Sequence, residues 1–318
     1  MSNGRVAGLV VALLSAAAFS TSGSLAGSLI ATGWTPGAAV VARLLVAAVV
    51  LTVPSVLALR GRWSQLRAGA GTVVVYGIVA VAVAQFAYFN AVAHLSVGVA
   101  LLLEYQGTVL VVAWMWLRHG RRPRPLVLAG SVLALAGLAL VLDVLGGVRL
   151  DGVGVLWGLV AAIGLATFFV LSGDDTQPLP PLVVSCAALW VGAIGLGAAG
   201  LAGLVPLRTA TAPVLLAGQQ VSWLVPVLGL ALVAAAFGYV SGIVGARMLG
   251  ATLASFVGLS EVLFAVAFAW LFIAQTPTLL QALGGVVVIA GVTLVRLGEL
   301  RGAPAMANDV PVEEPVGV

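Results

Sequence analysis

The sequence has no lysine, one cysteine, two histidines and few charged residues of either sign. Cys186 alone cannot form an intramolecular disulfide, and no cluster of Cys, His and carboxylate side chains has the spacing of a metal site. Gly-x-Ser-x-Gly, His-Glu-x-x-His and phosphate-loop motifs are also absent. The sequence therefore predicts no metal, no cofactor and no catalytic residues, and we expect the protein not to be an enzyme.

Charge is scarce because most of the chain is apolar. Of 318 residues, 62% are hydrophobic and 8% are charged, and the mean hydropathy is +1.21. These values indicate a polytopic membrane protein rather than a soluble domain. The net charge of +4 does not indicate nucleic acid as a partner, because every basic residue is arginine and most lie in short loops. Membrane topology explains that placement, so we predict a lipid bilayer as the surroundings.

Hydropathy averaged over about 19 residues predicts ten membrane spans joined by short connections. We interpret the first apolar run as a span rather than a cleaved signal peptide, because apolar character resumes with LAGSLIA. Segment 205–221 is predicted to contain an interfacial turn of helix, and 302–318 to be a disordered cytoplasmic tail. The predicted spans are 6–30, 37–59, 72–92, 96–117, 126–145, 152–172, 181–204, 222–244, 251–273 and 278–297.

The distribution of arginine predicts that both termini are cytoplasmic. Arginines precede the first span and follow the second, fourth and tenth, whereas the loops 31–36 and 93–95 contain none. An even number of spans returns the chain to the side on which it began. The bias is weaker in the second half, where Asp174 and Asp175 fall on the cytoplasmic side and Arg208 on the outer side.

The two halves of the chain repeat each other. Phe86–Asn90 resembles Phe237–Ser241 at an offset of 151 residues, and Ala136–Val141 resembles Ala290–Val295 at an offset of 154. Five spans in each half is an odd number, so the two copies enter the membrane from opposite sides. We therefore predict an all-α integral membrane protein with ten transmembrane helices in a five-plus-five inverted repeat. The predicted boundaries are 1–145 for the first repeat and 146–301 for the second.

Each half carries one glutamate at mid-depth in an apolar span. Glu261 lies on the order of 15 Å from the start of 251–273, near the middle of a hydrocarbon core about 30 Å thick. Glu104 lies at a similar depth, beside Tyr105, although the repeat register sets Thr108 opposite Glu261. A carboxylate at this depth costs about 2.5–3.5 kcal/mol, so it faces protein or water. Each glutamate either exchanges protons and couples transport to a gradient, or stays protonated and bonds a neighbouring helix.

Several motifs resemble the drug/metabolite transporter superfamily, specifically EamA-like permeases. They are VARLLVAAVVL with Arg43, AxxxLSVGVALLLxY at the fourth span, and LSEVLFAVAFAWLF followed by QTPTLLQALGGVVVIAGVTLV. The resemblance implies a ten-helix bundle around a central cavity in the bacterial cytoplasmic membrane, moving small polar or amphipathic metabolites, often outward. The family pattern places proline after the late glutamate. Here Val262 follows Glu261, which argues against a helix break at that point.

Further polar residues are candidates for a substrate or coupling-ion site. Arg43 lies roughly 9 Å below the start of its span, where it either meets an anionic group or a glutamate, or extends to the surface. Gln85 lies three residues before Tyr88 and shares its helix face. A repeated aromatic-plus-polar pattern offers ring faces and hydrogen bonds to a substrate, or else belongs to an interfacial belt. Its members are Tyr88, Asn90, Tyr239 and Ser241.

The sequence as a whole predicts a secondary-active permease for a small, amino-acid-like or drug-like molecule. We expect efflux by alternating access at a midplane cavity, with protons as the candidate coupling ion. The alternatives are a passive channel and a membrane-embedded enzyme that acts on a lipid. Saturable counterflow distinguishes a carrier from a channel.

Overall fold

The computed structural model describes residues 3–120, 122–141, 151–174, 178–273 and 278–300. Within these ranges, nine helical segments are long and apolar enough to cross a membrane. Pro125–Val141 is a shorter apolar helix at the position of the fifth predicted span. The predicted ten-helix membrane fold is therefore confirmed, whereas the predicted tail, 302–318, lies outside the described residues.

Local signals start and stop the helices of the first half. Pro36 begins the second span, where the Thr35 hydroxyl accepts a hydrogen bond from the Ala38 N–H at 3.4 Å. Gly120, with φ of +66°, ends the fourth span. The helices are α1 (Asn3–Phe19) and α2 (Ser22–Ala31) in span 1, α3 (Pro36–Ala58) in span 2, the short α4 (Trp63–Ala68), α5 (Ala70–Val75), a first π-helical segment (Tyr76–Val83) and α6 (Ala84–His94) in span 3, α7 (Val97–Glu104) and α8 (Gly107–His119) in span 4, and α9 (Pro125–Val141) in span 5.

The second half has the same series of five spans, with a β-hairpin where the first half has the short helix α4. Asp151 caps its first helix by accepting a hydrogen bond from the Val153 N–H at 3.1 Å. The elements are α10 (Gly152–Ser172) in span 6, α11 (Pro181–Leu201) in span 7, β1 (Val214–Leu216) and β2 (Gln219–Val221), α12 (Leu224–Leu228), a second π-helical segment (Gly229–Phe237) and α13 (Gly238–Leu249) in span 8, α14 (Ala251–Gly258) and α15 (Ser260–Ile273) in span 9, and α16 (Leu279–Leu300) in span 10.

Helix interruptions in spans 3, 4, 8 and 9 fall at matching places in the two halves, whereas the break in span 1 has no counterpart in α10. Spans 3 and 8 each contain a π-helical segment, and spans 4 and 9 are each broken beside their glutamate. The expectation that span 9 is uninterrupted at Glu261 is wrong, because the helix breaks just before it, at Leu259. There the Leu259 and Val262 N–H groups bond to carbonyls three residues back, at 3.1 and 3.2 Å, as in a tightened turn. Proline is therefore not needed for this break.

The segment between spans 7 and 8 forms a β-hairpin, so the expected interfacial turn of helix is wrong. Strands β1 and β2 pair antiparallel, with Val214 opposite Val221. Ala217 and Gly218 connect them with φ of +50° and +77°. Positive φ at both central residues is the geometry of a type I′ turn, which fits the twist of paired strands.

Spans 5 and 10, at matching positions of the repeats, pack closely through glycine. A Cβ atom added to Gly130 would lie 2.7 Å from the Gly291 carbonyl oxygen, and one added to Gly137 would lie 2.9 Å from that of Gly284. We call these four residues the glycine seam. Gly130 and Gly284 are repeat equivalents, as are Gly137 and Gly291, so the contact is reciprocal across the pseudo-two-fold axis. The seam joins the two halves on one flank of the bundle.

Candidate transport cavity

A cavity lies between the two halves and is lined by matched spans of each. Its walls come from spans 1, 3 and 4 of the first half and spans 6, 8 and 9 of the second. The empty volume, including the mouth, is about 750 Å³. The lining therefore has the location expected of a substrate site in an inverted-repeat protein.

Both predicted glutamates line this cavity. Glu104 is the last residue of α7 and only 8% of its side chain is exposed. Glu261 lies in the first turn of α15 and is partly buried. The structure thus brings one carboxyl group from each half to the same cavity, each beside a helix break.

Tyr105 connects the broken spans of the two halves. Its hydroxyl oxygen lies 2.7 Å from Oε2 of Glu261 and 2.7 Å from the carbonyl oxygen of Gly258. Because Gly258 ends α14, its carbonyl lies at the break in span 9. Tyr105 itself lies at the break in span 4, between α7 and α8. One hydroxyl group therefore links the two interruptions.

Arg43 is fully buried behind the cavity wall rather than extending to the surface. Its Nη1 donates to Oε1 of Gln85 at 2.6 Å and to Oγ of Ser22 at 2.8 Å, and both of these residues line the cavity. The guanidinium also lies 5.7 Å from the centre of the Phe89 ring. Its Nε and Nη2 are buried and have no hydrogen-bond partner in the described part of the chain. Arg43 thus orients two lining residues and retains unused donors.

Aromatic side chains form one wall of the cavity. Tyr239 lies edge-on to Phe19 and Phe168, with ring centres 5.3 and 5.7 Å away. Only 2% of Tyr239 is exposed, and its hydroxyl has no hydrogen-bond partner among the described residues. Tyr88 also lines the cavity. The two tyrosines of the repeated pattern therefore converge on the cavity and not on an interfacial belt.

The structure places the polar partners of those tyrosines elsewhere. Asn90 Nδ2 donates to the Phe86 carbonyl at 2.7 Å, and the Ser241 hydroxyl donates to the Phe237 carbonyl at 2.6 Å. Both side chains bond their own helix, and neither is among the residues that line the cavity. Of the eight candidates, five line the cavity, Arg43 lies behind its wall, and these two lie apart from it.

Sequence reasoning did not select several lining residues. The sequence marks Tyr105 only as the neighbour of Glu104. Its offset of 153 residues from Gly258 is a usable signal, since repeat equivalents meet near the pseudo-two-fold axis. Phe168 and Phe169 lie in a span whose polar residues, Thr167 and Ser172, do not line the cavity, so no polar residue marks that face. Among the described residues, no group of three or more Cys, His, Asp and Glu side chains could hold a metal.

Comparisons with known proteins agree with this architecture. The model of the EamA-like transporter family matches residues 6–143 and again residues 152–297. Among 26 matching chains of solved structures, one described only as a crystal structure of a protein has a TM-score of 0.74. The match covers 94% of this chain and 99% of that one at 20% identity, so it supports the fold alone. No curated protein matches the sequence significantly.

Proposed function

Because the chain belongs to the EamA-like transporter family, we propose that this membrane transporter is a secondary-active permease for a small polar or amphipathic metabolite. It works by alternating access, in which the two halves rock about the central cavity. We assign efflux as the direction of substrate transport, following the family resemblance. We place the protein in the bacterial cytoplasmic membrane, following the family resemblance, with both termini in the cytoplasm, as the arginine distribution predicts.

One observation carries this proposal: the cavity is built from three matched spans of each half and contains one carboxyl group from each. Spans 1, 3 and 4 contribute Glu104, and spans 6, 8 and 9 contribute Glu261. A site shared by two inverted halves can open to either side when the halves tilt. Ionisable groups within a membrane are costly and usually mark a substrate or ion path. The arrangement therefore supports a carrier more than a channel or a lipid-modifying enzyme.

Metabolite release from cells tests this function. Cells that express the native chain or Glu261→Gln, at matched membrane abundance, are compared by the compounds that they release into the medium. We expect the native chain to release at least one compound that Glu261→Gln releases only at the level of cells without the protein. The reason is that the amide cannot ionise, so a proton cannot be exchanged at that position.

Asp151→Asn is the matched control for the loss of a carboxylate. Asp151 lies outside the cavity, where it pairs with His94 at 2.7 Å, and asparagine also caps a helix N-terminus well. Its release profile should equal that of the native chain. Metabolite release at the native level by cells that express Glu261→Gln would contradict a role of Glu261 in coupling. Saturable counterflow of the released compound in vesicles separates a carrier from a passive channel.

A further inference from the structure

The Tyr105 hydroxyl has one hydrogen atom but lies close to two oxygen atoms. The Gly258 carbonyl oxygen and Glu261 Oε2 are each 2.7 Å from it, which is the usual length of an O–H···O hydrogen bond. A carbonyl only accepts, and an ionised carboxylate also only accepts. With an ionised Glu261, one of these two short oxygen pairs would have no hydrogen atom between its members. Both contacts are satisfied when Glu261 is a carboxylic acid that donates to Tyr105 while Tyr105 donates to Gly258.

We propose that Glu261, the Tyr105 hydroxyl and the Gly258 carbonyl form a proton-binding site that links the broken spans 4 and 9. Glu261 holds the proton, and Tyr105 is the positioning residue that relays its presence to Gly258. The role of this site in transport rests on the proposed function. The proton itself is the ligand, and the structure represents the loaded state.

Loss of the proton changes what Tyr105 can bond. An ionised Glu261 accepts the only hydroxyl hydrogen, because a hydrogen bond to a charged acceptor is stronger than one to a carbonyl. The Gly258 carbonyl then faces a tyrosine oxygen with no hydrogen atom between them and is repelled. The contact between the two helix breaks is released. Proton release from Glu261, through the cavity to solvent, is thereby coupled to separation of spans 4 and 9.

Surrounding groups make the proton exchangeable. Glu261 lies in the first turn of α15, where the helix N-terminus favours a negative charge once the proton has left. The titratable groups that share its cavity are Glu104 on α7, Tyr88 on α6 and Tyr239 on α13. Arg43 on α3 acts on Glu261 from behind the wall. On α16, Arg296 lines a separate groove beside Ser260.

Thermal unfolding of the full chain in detergent, without any substrate, tests the site. A proton bound only by the folded chain makes the unfolding temperature fall as pH rises. Between about pH 5 and pH 9, we expect the unfolding temperature of the native chain to fall about 2–4 °C more than that of Glu261→Gln. The amide N–H of this variant can still donate a hydrogen bond to Tyr105. Tyr105→Phe should steepen the fall seen in the native chain, because the ionised Glu261 loses its hydrogen-bond donor while its burial is unchanged. Tyr88→Phe, which removes another hydroxyl from the same cavity, should keep the native fall.

Either of two results would overturn the inference. One is a Glu261→Gln chain whose unfolding temperature falls with rising pH as much as that of the native chain. The other is a Tyr105→Phe chain whose unfolding temperature falls with rising pH by the native amount. Infrared spectroscopy of the native chain and Glu261→Gln is the second measurement, and does not require Tyr105→Phe to fold. At neutral pH the native spectrum should contain a protonated-carboxyl band that Glu261→Gln lacks, and its absence would also overturn the site. Neither measurement involves transport. A chain that transports but holds no proton at Glu261 would support the proposed function and overturn the inference. A chain that holds this proton but does not transport would support the inference and overturn the proposed function.

Discussion

Buried polar groups without partners occur at the cavity wall and, among the described residues, also away from it, at Gln65, Ser185 and Arg247. The Tyr239 hydroxyl and the Nε and Nη2 atoms of Arg43 are buried with no hydrogen-bond partner in the described part of the chain. Each such group costs about 1–3 kcal/mol of stability. By contrast, Tyr76 is equally buried, and its hydroxyl lies 2.7 Å from Oγ of Ser172. A group that lowers stability at a cavity wall is typical of a binding site, where a ligand supplies the partner.

The tyrosine pair gives a prediction at this scale. In Tyr239→Phe the hydroxyl that is removed lies near Gln85 without a hydrogen bond of good geometry, so the free energy of unfolding should stay unchanged or rise by up to about 1 kcal/mol. In Tyr76→Phe a hydrogen bond is lost, and the same quantity should fall by about 1 kcal/mol. Detergent-induced unfolding of the empty protein measures both. Tyr239→Phe should nevertheless transport its substrate with a higher KM. Equal losses of stability in the two variants would show that Tyr239 has a partner of its own.

At the scale of elements, the sequence predicts the spans well and their interruptions poorly. Hydropathy located all ten spans because each is a long apolar run. It missed the break at Leu259 because averaging over about 19 residues removes single-residue features, and it missed the π-helical segments because they are as apolar as the α-helices beside them. The hairpin was missed for a similar reason, since its turn depends on the backbone angles of Ala217 and Gly218 alone. Glu104 and Glu261 were found because carboxylates are rare in such spans.

The glycine seam gives a prediction for the packing of two elements. In Gly137→Ala the new methyl group would lie 2.6 Å from the Val288 backbone nitrogen, so spans 5 and 10 must move apart. We expect a loss of about 1–3 kcal/mol in the free energy of unfolding. Gly197→Ala is the control, because no atom lies within 4 Å of its added Cβ. It should raise stability by about 0.4–1 kcal/mol. Similar effects of the two substitutions would contradict close packing at the seam.

At the scale of the whole molecule, the repeat was the most informative pattern in the sequence. An odd number of spans in each half requires inversion, and inversion places equivalent residues on either side of one axis. From this, the sequence predicts a shared cavity and identifies the residues that mark it by charge or aromaticity. It does not predict which way a side chain points. Asn90 and Tyr88 are two residues apart, yet only Tyr88 lines the cavity, because position around the helix decides the outcome.

Membrane orientation gives a prediction for the complete chain. The loop after span 1 meets the segment after span 7, where the Trp34 indole donates to the Ala210 carbonyl at 2.7 Å and the Thr35 N–H donates to the Arg208 carbonyl at 3.0 Å. These segments therefore share one end of the bundle. A reporter active only in the cytoplasm should function at the C-terminus and fail when inserted at Ala217–Gly218. The opposite pattern would reverse the assigned orientation.

The glycine seam also limits how the halves move. Backbones in direct contact leave no layer of side chains that could slide or compress, so the distance between spans 5 and 10 is fixed and rotation is the motion that remains. In the rocking motion that we propose, the seam is the fulcrum. Displacement grows with distance from a fulcrum, so the helix ends farthest from the seam would move the most.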